Sequence, residues 1–231
     1  MKKYFSITLF ILAAASIVTA CQDEDNDLQQ PQTPEQPQEP QEPENPEEPV
    51  AGKILIAYFS YPEPDGVDAV TGASRLVKDG SVIGHVEFLA KTIQEATNGD
   101  LFEIRTVQQY PASHEPLVAQ AREEKDTGAR PALATQIENL EQYDIIFIGY
   151  PNWWGDLPMP LYTFLDEYDF KGKTIALFNS HGGSGLSGTV NTIRTIQPNA
   201  TVTAGFTVSR NTVGDAKNNV IQWLKEIEII K

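Results

Sequence analysis

Residues 144–160 read DIIFIGYPNWWGDLPMP, and this stretch decides the architecture. Its first half is apolar on both alternating faces, the pattern of a strand buried on both sides in a parallel sheet. The strand breaks at Pro151 into a loop rich in Pro, Trp and Gly, and Pro158 then opens a helical pattern running to Glu167. The same grammar repeats outward. Lys53–Ser60 (KILIAYFS), Leu101–Thr106, Thr174–Asn179 and Thr201–Val208 read as further strands. Val86–Ala96, Pro116–Lys125, Ser187–Ile196 and Asp215–Ile229 read as helices between and after them. Five strands alternating with five helices predict one α/β domain, a three-layer sandwich with helices on both faces of a parallel sheet. Such sheets bind ligands outside the carboxyl ends of their strands, so the loops after strands one, three and four are where chemistry is sought.

The loop after strand three carries Pro151, Asn152, Trp153, Trp154 and Gly155. Neighbouring side chains leaving a strand diverge, so the two tryptophans cannot share one core position. One is expected to wall a planar ligand and the other to pack under the loop, with Trp153 nearer the ligand; the alternative is that both only close the loop. The loop after strand four, Ser180-His181-Gly182-Gly183-Ser184-Gly185-Leu186-Ser187-Gly188, has four glycines in nine residues and lets backbone approach a ligand closely. Gly183, Gly185 and Gly188 spell G-x-G-x-x-G, but not after the first strand, and no acidic residue stands in the strand that follows. A G-x-S-x-G nucleophile elbow is absent, which weighs against a hydrolase built on Ser184 and His181. His181 could serve as a base; a loop histidine is more often a hydrogen-bond donor. No catalytic residue is assigned.

The loop after strand one is long, from Ser60 to the helix near Val86. Asp79–Val86 brings backbone amides to a positive helix terminus, suited to an anion, with no Lys or Arg in that run. A phosphate there would be held by amides and hydroxyls.

Four segments together resemble the flavodoxin family: KILIAYFS at strand one, Gly84-His85-Val86 opening the helix, YPNWWGDLPMP at 150–160, and NSHGGSG at 179–185. The resemblance covers about residues 53–230. It implies a five-stranded sheet of order 2-1-3-4-5 and FMN as cofactor. It also implies that Ser60 and the amides of Gly84, His85 and Val86 hold the phosphate. Pro151, Asn152, Trp153, Trp154 and Gly155 would border the isoalloxazine, with Ser180, His181, Gly182, Gly183, Ser184 and Gly185 as its third wall. Where the family usually reads Gly-Asn-Thr, this chain reads Gly84-His85-Val86, exchanging a hydroxyl for a methyl group. The insertion from Tyr61 to Gly80 is a second departure, readable as a lid or a surface loop.

Ahead of this domain the composition changes. Lys2 and Lys3 precede an apolar run from Phe5 to Val18, the pattern of an export signal over residues 1–20. Val18-Thr19-Ala20-Cys21 resembles a bacterial lipobox, so Cys21, the sole cysteine, is expected to be lipidated. Several acyl chains there would anchor the chain to an envelope membrane, in the periplasm or at the surface. Asp23, Glu24, Asp25 and Asp27 resemble a surface-export signal. From Pro31 to Pro49 a proline recurs every third residue, matching the period of polyproline II, so residues 21–52 read as an acidic, semi-rigid tether.

The chain has 231 residues and a net charge of −15; residues 22–52 supply −10, residues 53–231 supply −7, and Lys2 and Lys3 return +2. With no basic stripe, nucleic-acid binding is excluded. One cysteine rules out an intramolecular disulfide and a CxxC pair, and no metal site is expected. Redox chemistry would come from the cofactor. The expected function is an envelope-anchored FMN protein that passes electrons to or from an unknown redox partner. The residues leave open an FMN-dependent oxidoreductase acting on a quinone or other small acceptor. The rival is a flavin-free ligand-binding module on the same fold.

Overall fold

The computed structural model describes residues 52–62, 74–78 and 80–231. The expected signal segment, Cys21 and all but the last residue of the acidic tether lie outside the described residues, as does most of the insertion after Tyr61. In chain order the elements begin with β1 (Ile54–Tyr58), the short strands β2 (Arg75–Lys78) and β3 (Ser81–Gly84), and α1 (His85–Thr97). Next come β4 (Asp100–Glu103), α2 (His114–Thr127), β5 (Ile145–Pro151), α3 (Met159–Glu167), β6 (Thr174–His181) and α4 (Thr189–Ile196). The chain closes with β7 (Thr201–Val202), β8 (Phe206–Ser209) and α5 (Lys217–Glu226).

The main sheet runs β4-β1-β5-β6, with β7 and β8 both beside β6, and every pairing is parallel. With β7 and β8 sharing the fifth position, the order is 2-1-3-4-5, as expected. Residues 144–151 do read as a central strand: all seven residues of β5 are buried, and both flanking strands pair with it. Alternation along β1, β5 and β6 feeds two cores. Ile56, Phe147 and Phe178 pack with α1 and α5, whereas Leu55, Ile148 and Leu177 pack with α3 and α4.

Two local differences from the sequence reading have plain causes. The expected strand Thr201–Val208 is broken at residues 203–205. A Cβ on Gly205 would stand 3.0 Å from Leu186 Cδ1, so the break receives a side chain from the loop after β6, and Trp223 Nε1 satisfies the freed Ala204 carbonyl at 3.0 Å. The second difference is the hairpin β2–β3, which falls where a loop was expected. Its four-residue strands offer a single inward apolar pair, Leu76 and Ile83, with Gly80 at φ +76° near the tip. Leu76 reaches the core shared with α1, so the hairpin is fastened where the insertion meets the helix.

The start of α1 is set by a missing side chain. A Cβ on Gly149 would fall 2.2 Å from Phe178 Cζ and 2.8 Å from Val86 Cγ1. Glycine here lets the first turn of α1 settle directly on the centre of β5.

Candidate functional site

Ser60, just past β1, continues the face of Ile54, Ile56 and Tyr58 and so meets the start of α1. Gly84, the N-cap of α1, comes so close that a Cβ on it would lie 1.9 Å from Ser60 Oγ. That hydroxyl is buried and has no hydrogen-bond partner among the described residues. An unsatisfied buried hydroxyl costs about 1–3 kcal/mol. Here it sits against the positive end of a 13-residue helix, where an anionic oxygen would satisfy it.

The amides around it are not all available, which corrects the sequence reading. His85 N–H donates to the Ser74 carbonyl at 2.9 Å, tying the helix to the hairpin, so it cannot also hold an anion. Gly84 N–H points at Glu87 Oε2, 3.4 Å away, while the other oxygen of Glu87 accepts from Lys91 Nζ at 2.7 Å. Val86 turns its side chain wholly into the core, and its amide, in the first turn, has no acceptor within the helix. The candidate anion cradle is therefore Ser60 Oγ, the Val86 amide, and the Gly84 amide once the Glu87 carboxylate withdraws.

Beside this cradle the loops after β5 and β6 are laced together. Asn152 N–H donates to the Ser180 carbonyl at 2.8 Å, and its side-chain amide donates to the Gly185 carbonyl at 2.9 Å and to Ser187 Oγ at 3.0 Å. Asn179 donates to the same Gly185 carbonyl at 3.0 Å and accepts from Thr207 Oγ1 at 2.6 Å. Gly185, at φ +61°, holds that carbonyl in a conformation a side chain would resist. Asn152 Oδ1 remains buried with no partner among the described residues, a second polar atom at the same mouth. Gly182, Gly183 and Ser184 form the exposed crest of this loop, and Ser180 is fully buried beneath it.

The tryptophans diverge. Trp153 turns inward, its ring edge-on to Phe59 at 5.4 Å and to Tyr110 at 5.3 Å. Trp154 turns outward and is 46% exposed; it packs over α2 at the surface rather than under the loop, a correction caused by positive φ at Trp154 (54°) and Gly155 (73°). Its indole donates to the Val118 carbonyl at 3.2 Å, Arg122 lies 5.1 Å over the ring, and Lys125 Nζ donates to its carbonyl at 2.6 Å. Pro151 ends β5 in the buried rim between these loops.

His181 closes β6, and its Nδ1 accepts from Gly183 N–H at 2.9 Å, placing the proton of the neutral ring on Nε2. Burial lowers its pKa, so it stays neutral at pH 7 and acts as a donor. No hydrogen bond joins it to Ser184 among the described residues, so a Ser–His nucleophile is not assembled. Tyr58, near the cradle, is pushed up to about 12 by burial and then by Glu103 and Glu87, and remains a neutral phenol. Among the described residues no group of three or more His, Cys, Asp or Glu side chains could hold a metal.

Phe59, Tyr110, Asn179 and Ser187 were not assigned to the site from the sequence. Tyr110 stands in the long connection between β4 and α2, and Phe59 is hidden inside an apolar run; Asn179, a lone amide at the end of a buried strand, carried the clearest signal.

A family model described as Flavodoxin matches residues 74–227. The chain belongs to the flavodoxin family. Solved structures agree with this membership. A protein from Bacteroides uniformis described as a flavoprotein is 28% identical, with a TM-score of 0.57 over 76% of this chain and 99% of its own. Another so described, from Bacteroides eggerthii, is 26% identical, with a TM-score of 0.55 over 76% of this chain and 97% of its own. A flavoprotein of Lactobacillus acidophilus in complex with FMN shares the fold at 20% identity and a TM-score of 0.50, over 73% of this chain and 99% of its own. No curated protein matches the chain. In this flavodoxin-family domain the candidate cradle, the laced loops and Trp153 all follow the carboxyl ends of β1, β5 and β6.

Proposed function

We propose that the chain is an FMN-binding electron-transfer protein held at the bacterial cell envelope by a lipid on Cys21. The observation that carries the flavin reading is Ser60 Oγ, buried, partnerless and pressed against the N-cap glycine of α1. A phosphate oxygen would accept from that hydroxyl and from the Val86 amide. Trp153 and the loop after β6 would flank the ring, and the Asn152 and Asn179 amides would hold that loop rigid around the Gly185 carbonyl. Bound FMN supplies the redox chemistry at its isoalloxazine; the chain's part is to hold, orient and tune it. His181, neutral with its proton on Nε2, is a donor at the rim. An acidic domain favours basic redox partners.

Two measurements test this. The purified chain should be yellow, release FMN, and bind riboflavin at least tenfold more weakly, because riboflavin lacks the phosphate. Equal affinity for both would remove the phosphate from the cradle. Cys21→Ser should leave the membrane fraction and lose fatty-acid labelling, whereas unchanged labelling would end the anchor reading.

A second reading keeps a specific observation. Glu87 already reaches back to the Gly84 amide, and Val86 lacks the usual hydroxyl, so the helix terminus partly satisfies itself. A colourless chain that takes up no FMN would favour the flavin-free module.

A further inference from the structure

The start of α1 carries a carboxylate of the chain's own, and that carboxylate is held unevenly. Glu87, the third residue of the helix, accepts from Gly84 N–H through Oε2 at 3.4 Å and from Lys91 Nζ through Oε1 at 2.7 Å. The first contact is at the long limit of a hydrogen bond, whereas the second is short and charge-assisted. Glu87 is therefore anchored on Lys91 and only leans on Gly84. It can leave the helix terminus and keep its stronger partner, and its side chain, 28% exposed, has solvent beside it. Nor does it complete the terminus. Ser60 Oγ, against Gly84, stays buried with no partner among the described residues, so a second donor at the same spot still lacks an acceptor.

We infer that Glu87 is the selectivity residue of this terminus: its charge turns away free anions, and it yields to a phosphate monoester borne on a ring that the neighbouring loops bind. That the ring is a flavin rests on the function proposed above. An anion on Ser60 Oγ and the Gly84 amide must share its donor with the Glu87 carboxylate, and like charges so placed oppose binding. Free phosphate has only the few donors of the terminus to offset that repulsion. A phosphate attached to a ring already bound arrives at a high effective concentration, so its capture costs far less and Glu87 is pushed onto Lys91 alone. The same residue that caps the empty helix thereby keeps the terminus from filling with inorganic anions.

The test is calorimetric titration of the full chain with inorganic phosphate, FMN and riboflavin, for the natural sequence, Glu87→Gln and Glu95→Gln. Glutamine at residue 87 keeps an acceptor for the Gly84 amide and drops only the charge, so the helix start is retained. Glu87→Gln should bind phosphate and FMN each about tenfold more tightly, with riboflavin unchanged within about twofold. Glu95→Gln removes the same charge nearer the far end of α1, where the carboxylate pairs with Lys217 at 2.7 Å, and should alter neither affinity. Phosphate affinity unmoved by Glu87→Gln, an equal gain in Glu95→Gln, or a gain for riboflavin equal to that for FMN would each overturn the inference. Phosphate is titrated without flavin, so the two readings fail separately. A phosphate gain in a chain that takes no flavin supports Glu87 and sinks the flavin, whereas FMN binding indifferent to Glu87→Gln keeps the flavin and sinks Glu87.

Discussion

Gly149→Ala is expected to melt roughly 6–12 °C below the natural chain, the shift that about 3 kcal/mol gives in a domain of this size. The added methyl would have to enter space held by Phe178 Cζ at 2.2 Å, Phe178 Cε2 at 2.4 Å and Val86 Cγ1 at 2.8 Å. All three atoms belong to side chains with no solvent exposure, so neither can swing out. Relief must come from lifting the first turn of α1 off β5 or from bending the sheet, and both disturb the anion cradle as well as the core. Thermal melts would therefore fall together with flavin affinity. Phe178→Leu in the same chain should restore part of the melting temperature by trimming the ring edge. A melt within 2 °C of the natural chain would mean that the helix start has slack, and that the cradle geometry is less fixed than the packing implies.

The central sheet was legible because burial on both faces leaves little to interpret. DIIFIGY and KILIAYFS are apolar at every position that matters, and they pair side by side in register, Ile54 with Ile145 and Tyr58 with Gly149. The hairpin was not legible for the opposite reason. Val77 and Val82 are apolar yet exposed at 62% and 45%, so the pattern of Arg75–Gly84 carries no period that separates strand from loop. The break in the last strand was equally hidden, because its cause, Leu186 lying on Gly205, links residues from two different loops.

At the site, residue identity outran geometry. The glycine-rich and Trp-Trp loops announced close approach to a ligand, and both do flank one end of the sheet. What the sequence could not carry was which amides are already spent. His85 N–H is taken by Ser74, a residue eleven positions upstream that meets it only because the unread hairpin folds back. The exchange of a family threonine for Val86 looked like a lost phosphate contact. The fold gives it another meaning: that position faces the core, with one methyl group over Gly149 beside the Phe178 ring.

Gly84→Ala separates the phosphate cradle from everything else. The backbone at residue 84 sits at φ −68°, ψ 142°, which alanine adopts without strain, so the change acts only through its new methyl. That methyl would lie 1.9 Å from Ser60 Oγ and 3.1 Å from Ser60 Cβ, so the hydroxyl must rotate away from the helix terminus. A hydrogen bond to a charged oxygen is worth about 1.5–3 kcal/mol. FMN affinity should accordingly fall roughly 10- to 150-fold, while riboflavin binding stays within about twofold. Ser60→Ala is the matched control: it removes the same donor without the clash. In the flavin-free chain it should raise stability by about 1 kcal/mol, because a buried hydroxyl without a partner is itself a cost. Fluorescence titrations with both flavins, and melts of both variants, read all of these outcomes. Equal losses for FMN and riboflavin would place the contact on the ring rather than on the phosphate. A loss of stability in Ser60→Ala would show that the hydroxyl already has a partner, and the strongest support for an anion at the start of α1 would go with it.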